Sequence, residues 1–107
     1  MKLTDLDTFL NDSIDLPRTT TLFRENGLRA VLFYLKSGEG LPEHHTAGAI
    51  TVQCLKGHAL FSAGGERVPL KPNWLLSLAP GVSHSLIAHH DTLLLVTISE
   101  QIRTEAA

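Results

Sequence analysis

Gly38-Glu39-Gly40-Leu41-Pro42-Glu43-His44-His45 decides how this chain reads, together with its counterpart Ala79-Pro80-Gly81-Val82-Ser83-His84. In each, a turn built from glycine and proline delivers imidazoles into strand-like sequence. Neutral imidazoles gathered from distant strands suit a divalent transition metal, because the fold then fixes the geometry that selects the ion. The two segments therefore read as two halves of one pocket, and the sequence around them as its wall.

That wall is made of short strands. Thr19-Thr20-Thr21-Leu22-Phe23-Arg24 and Arg29-Ala30-Val31-Leu32-Phe33-Tyr34-Leu35 flank Glu25-Asn26-Gly27, a turn of the kind that favours hairpins. Further strands are expected at Ala49 to Leu55, His58 to Ser62, Arg67 to Leu70, Leu75 to Leu78, His84 to Ala88 and Thr92 to Ile98. They are divided by Lys56-Gly57, Ala63-Gly64-Gly65, Lys71-Pro72-Asn73 and Pro80-Gly81, all turn chemistry. So many short strands in one domain make a sandwich or barrel. Only the N-terminus predicts a helix: Thr4 and Asp7 have capping-box spacing, and Leu3, Leu6 and Leu10 recur at helical intervals. The expected division is an N-terminal helical segment over 1–16, a β-barrel over 17–99 and a frayed tail over 100–107.

Composition bounds the function. With 107 residues, 43% hydrophobic and 19% charged, the chain fits one globular domain and leaves no room for a helix-turn-helix beside the barrel. A net charge of -2 gives no concentrated basic face, which argues against nucleic-acid and acidic-membrane partners. No apolar run approaches the roughly 18 residues of a membrane span. The start, Met1-Lys2-Leu3-Thr4-Asp5-Leu6-Asp7, carries acids where a signal peptide has its apolar core, so a cytoplasmic location is expected. The single Cys54 can form no internal disulfide.

Parity then assigns faces, because side chains alternate along a strand. Ile50, Val52 and Cys54 share one face, taken as inward, and Thr51 and Gln53 share the other. In the strand after Pro80-Gly81, His84, Leu86 and Ala88 share a face, so His84 keeps apolar company and needs a partner: a metal, a hydrogen-bonded carboxylate or a trapped water.

These segments resemble the cupins, whose small members form a jelly-roll barrel of two antiparallel sheets. The family's first motif runs glycine, five residues, His-x-His, three or four residues, Glu, six residues, glycine. Five residues separate Gly38 from His44 and six separate Ile50 from Gly57, so the frame matches, with Thr46 at the second His position and Ile50 at the Glu position. A second registration takes Glu43 and His45 as the pair. The second motif, Pro-x-Gly-x-x-His-x-x-x-Asn, is matched in part: Pro80-Gly81-Val82-Ser83-His84 keeps the turn and the His, while Ala79 stands at the Pro position and Ala88 at the Asn position. The resemblance covers about Ser37 to Ile98. It implies an all-β, cupin-type double-stranded β-helix, here with a short N-terminal helix, and a degenerate pocket in which His44 and His84 hold one divalent metal weakly (Zn, Ni, Fe, Cu or Mn). His45, His90 and Gln53 are secondary candidates, and Ile50, Val52, Cys54 and Leu86 the lining. Small cupins commonly dimerise, and the Thr51/Gln53 face suits burial against a second chain, so a homodimer is expected.

The other notable residues carry plainer readings. His89 and His90 read as a polar hairpin connection, although His90 shares the parity of His84. His58 reads as a surface strand residue and Cys54 as core filling. Trp74 suits either a ligand stack or a cap on the barrel end, and Arg29, Glu43 and Tyr34 are candidates to orient a small acid. No phosphate-cradling glycine loop or nucleophile elbow is present. Two functional classes follow: a metal-dependent oxygenase- or isomerase-like enzyme acting on a small organic substrate, or a non-catalytic module that binds a small organic ligand without metal.

Overall fold

The computed structural model describes residues 1–11 and 15–100. Nine strands follow one another along the chain: β1 (Thr19–Glu25), β2 (Leu28–Leu35), β3 (Gly40–His44), β4 (Ile50–Lys56), β5 (Ala59–Ala63), β6 (Glu66–Leu70), β7 (Leu75–Leu78), β8 (His84–Ala88) and β9 (Thr92–Ser99). They form two antiparallel sheets, one ordered β1-β2-β9-β4-β7 and the other β3-β8-β5-β6. This is the jelly-roll arrangement the alternating pattern calls for. Among the described residues no helix is long and apolar enough to cross a membrane.

The inner faces are what alternation dictates. β4 buries Ile50, Val52 and Cys54, β5 buries Ala59 and Phe61, β8 buries His84, Leu86 and Ala88, and β9 contributes Leu94, Val96 and Ile98. Together with Leu35 and Leu70 these apolar residues make one continuous core between the sheets. On the outer face Thr51 and Thr97 are cross-strand partners and their hydroxyls hydrogen-bond.

Two elements differ from the sequence reading. The helix expected over 1–16 is, within the described residues, a single 3-10 turn over Leu6–Phe9. Its N-cap is Asp5 rather than Thr4: the Asp5 carboxylate accepts from the Asp7 N–H at 3.0 Å. The leucine repeat is only partly buried, Leu6 and Leu10 being half-buried and Leu3 93% exposed, and a helix under about 12 residues is marginal without tertiary packing. The second difference is β3, a strand that the sequence presents as a loop. As for the expected tail, Glu100 is tied in, its N–H donating to the Gly27 carbonyl at 2.7 Å and its carboxylate meeting Arg24 at 2.9 Å. Residues 101–107 lie outside the described residues.

At the end of the barrel where β4 hands over to β5, the connection is held by Thr92, which is fully buried. Its hydroxyl accepts from the His58 N–H at 3.1 Å and donates to the His90 carbonyl at 2.7 Å. Gly57 makes room for this with φ +95°, and a Cβ there would fall against the Asp91 carbonyl and the Thr92 side chain. Gly57→Ala combines a left-handed backbone with a clash and is expected to lower unfolding stability by about 1–3 kcal/mol. Urea titration of the variant against the parent protein measures this.

Candidate functional site

The site begins with a count along two paired strands. β3 and β8 align Leu41 with Leu86 and His44 with His84, yet Leu41 and His44 are three positions apart while Leu86 and His84 are two apart. The extra residue in β3 is a bulge, which locally re-aims the side chains beyond it. In an unbroken strand the face of Leu41 would go on through Glu43 and His45. The bulge instead turns His44 to the rim of the cavity, where it is exposed like His45 but, unlike it, borders the space between the sheets. Glu43 is exposed too, its carboxylate accepting from the Ser83 hydroxyl at 2.7 Å.

His44 and His84 face each other with ring centroids 4.3 Å apart and planes tilted by 59°. His84 is 5% exposed and lies parallel to the Phe61 ring, centroids 5.6 Å apart, whereas His44 sits at the open edge. Each Nδ1 lies against the carbonyl two residues earlier, Pro42 for His44 at 2.8 Å and Val82 for His84 at 2.9 Å. A carbonyl only accepts, so each Nδ1 is the donor. In the neutral ring the lone pair then falls on Nε2, and both imidazoles have one acceptor to offer.

The pair borders a cavity of about 50 Å3 between the sheets. Its remaining wall is Phe33, Leu41, Ile50, Val52, Phe61, Leu86, Val96 and Ile98, with Thr46 as the other polar residue. Thr46 spends its hydroxyl proton on the Gly48 carbonyl at 2.8 Å. The result is a narrow apolar slot with two hydrogen-bond acceptors at one end. Among the described residues no three His, Cys, Asp or Glu side chains are grouped to hold a metal ion.

The structure gathers some of the sequence candidates and separates others. His44, His84, Ile50, Val52 and Leu86 meet at the cavity. Gln53 does not: it is half-buried on the other face of β4, opposite Leu75 and Leu95, because it is one residue out of phase with Val52. His90 sits beyond the far end of β8, with its ring 6.1 Å from that of His58. Cys54, expected at the lining, lies deeper along β4 opposite Leu94, fully buried, and donates its thiol to the Lys56 carbonyl at 3.5 Å. Of the residues considered for orienting an acid, Arg29 is 3.5 Å from the Glu100 carboxylate, and Tyr34 lines a separate cavity of about 560 Å3 with Phe9 and Leu16 from the N-terminal segment. Trp74 is 48% exposed, with the Lys71 ammonium 5.4 Å from its ring centre. The sequence reading did not single out Phe61, which orients His84. Parity along Ala59-Leu60-Phe61 holds the signal for it.

A family comparison bears on this geometry. Residues 31–99 match the AraC-like ligand binding domain. The chain belongs to that family. The match takes in both histidine segments and every strand from β3 to β9. Among curated protein sequences none matches this AraC-like domain. Among solved structures it is similar to a cupin superfamily protein from Desulfitobacterium hafniense, with TM-score 0.76 and 17% identity over 82% of this chain and 84% of that one. It is also similar to an RmlC-like cupin from Desulfovibrio desulfuricans, TM-score 0.70 and 25% identity over 78% and 82% of the two chains. KdgF from a Halomonas species gives TM-score 0.73 and 17% identity over 88% and 90%. The AraC-like domain is thus a cupin-type barrel.

Burial raises the pKa of the Cys54 thiol, against a smaller opposing effect of its hydrogen bond to the Lys56 carbonyl. A protonated, enclosed thiol is a poor nucleophile. The native domain is therefore expected to react with Ellman's reagent at neutral pH at least 100-fold more slowly than the urea-unfolded chain, as the absorbance of the released thiolate will show.

Proposed function

We propose that this AraC-like domain is a small-ligand-binding module. The cavity, at about 50 Å3, admits one small apolar group of a compact organic molecule that otherwise sits at its open edge, and the Nε2 atoms of His44 and His84 accept hydrogen bonds from the polar head of that molecule. The observation that carries this reading is the pair of Nδ1 contacts to Pro42 and Val82, which leaves Nε2 as the acceptor on each of two neighbouring rings. Apolar walls with a few fixed polar groups are the usual make-up of such sites. Membership in a ligand-binding family agrees with it.

A weakly held divalent metal is the second reading, and the same contacts favour it. Metal-ligating histidines commonly donate their other ring N–H to a carbonyl, which fixes tautomer and orientation. Two imidazoles on a metal at about 2.1 Å have centroids roughly 4.5 Å apart at the right angle of a square-planar or octahedral ion and roughly 5.2 Å apart at a tetrahedral one. The observed 4.3 Å is close to the first. The donor set fits only in part, since Thr46 and Ile50 stand where the family motif has its second His and its Glu. A bound ion would supply open positions to polarise a ligand oxygen, with His44 and His84 as its protein ligands. Such a site would be weak, because structural sites use four protein ligands and catalytic ones three.

The two readings separate by experiment. In nitrogen–proton correlation spectra, a library of small alcohols, phenols, amides and acids is expected to yield hits that shift the amides of residues 44, 50, 61, 84 and 86. Those hits should bind His84→Ala at least tenfold more weakly. Hits that bind a His44→Ala/His84→Ala double variant unchanged would overturn the proposal. If hits appear only after Zn2+ or Ni2+ is added and vanish with EDTA, the metal reading takes precedence.

A further inference from the structure

Three of the chain's six histidines lie together at the end of the barrel away from the cavity. His58 precedes β5, and His89 and His90 follow β8. The pairing of these strands sets Ala59 opposite Ala88 and Ala63 opposite His84. The cluster is thus a strand's length, roughly 13 Å at 3.3 Å per residue, from His84.

We infer that His58, His89 and His90 form a second site, open to solvent, for a borderline divalent metal such as Ni2+, Cu2+ or Zn2+. The His58 ring centroid lies 5.5 Å from that of His89 and 6.1 Å from that of His90. Imidazoles sharing a metal at about 2.1 Å with tetrahedral angles have centroids roughly 5.2 Å apart. At tetrahedral angles the His58 ring therefore stands about 0.3 Å beyond ligating separation from His89 and about 0.9 Å from His90, and at the right angles that Ni2+ and Cu2+ favour about 1.0 Å and about 1.6 Å beyond it. Their nitrogens do not yet meet at one point, and the described residues hold no ready-made group of three donors. Closing the site needs only side-chain rotation of His89 and His90, both exposed, about staggered torsions.

The backbone beneath the rings is already fixed. The His58 carbonyl accepts from the His89 N–H at 2.8 Å and from the His90 N–H at 3.4 Å, and Thr92 ties the same two loops together. The two loops that carry the imidazoles thus keep their relative positions while the rings rotate onto a metal. An all-nitrogen donor set selects Ni2+, Cu2+ and Zn2+ over Mg2+ or Ca2+, with water filling the remaining positions. A hairpin connection needs only polar residues, so turn chemistry does not account for three imidazoles meeting here. This site does not depend on the ligand-binding reading of the cavity.

Calorimetric titration of the untagged, full chain with Ni2+ tests it. A His44→Ala/His84→Ala variant is expected to retain one Ni2+, and His58→Gln/His89→Gln/His90→Gln to lose that binding by at least tenfold in affinity. Unchanged affinity and stoichiometry in the triple variant would overturn the inference. A measurement on the unaltered protein guards against a variant that misfolds: substoichiometric Cu2+ should broaden the amide signals of residues 57–59 and 88–91 first. Broadening confined to residues around 44 and 84 would also overturn it.

Discussion

β9 is the constraint on which the rest of this structure hangs. It is bonded along its length to β2 on one side and to β4 on the other, so it has no free edge. Its inner face supplies Leu94, Val96 and Ile98 to the core, and the last two also wall the cavity. At its start Thr92 fastens the loops that carry His58 and His90, and just past its end Glu100 gathers Arg24 and Arg29. A one-residue slip of β9 would turn every one of these contacts to the opposite face. The cavity at one end of the barrel and the histidine cluster at the other are therefore held in a single register.

Much of this was legible because burial and alternation coincide. Ile50, Val52 and Cys54, or His84, Leu86 and Ala88, alternate strictly with less buried residues, and turns such as Glu25-Asn26-Gly27 mark where strands stop. β3 escaped notice since Pro42 and Glu43 are poor strand formers. It is tolerated because β3 is an edge strand, where a residue without an N–H need not break a ladder. The leucine spacing near the N-terminus misled in the opposite direction. Its period is helical, but periodicity says nothing about whether a surface exists to receive the apolar face.

Within the site, legibility stopped at the bulge. Motif spacing alone left His44 and His45 as rivals, and alternation from Leu41 favours His45, which does not line the cavity. Only the extra residue between Leu41 and His44, visible as a mismatch with β8, turns His44 to the cavity rim. Bulges are set by pairing between strands that are far apart in sequence, so a pattern read along one strand does not contain them. The grouping of His58 with His89 and His90 was hidden for the same reason: it follows from β5 lying beside β8, not from any local spacing.

Ile50 links the two readings of the cavity through charge. A divalent ion between His44 and His84 would receive no negative charge from the lining, which is two imidazoles, a threonine and hydrocarbon. Uncompensated charge in apolar surroundings carries a desolvation cost of several kcal/mol even after relaxation. The compensation has to come from the ligand or from water at the open edge beside His44. A metal-loaded cavity would then prefer an anionic ligand able to bind the ion through oxygen, whereas a metal-free cavity would prefer a neutral hydrogen-bond donor. On the proposed readings, a hydrocarbon in place of a carboxylate at Ile50 would thus couple metal occupancy to the charge of the ligand.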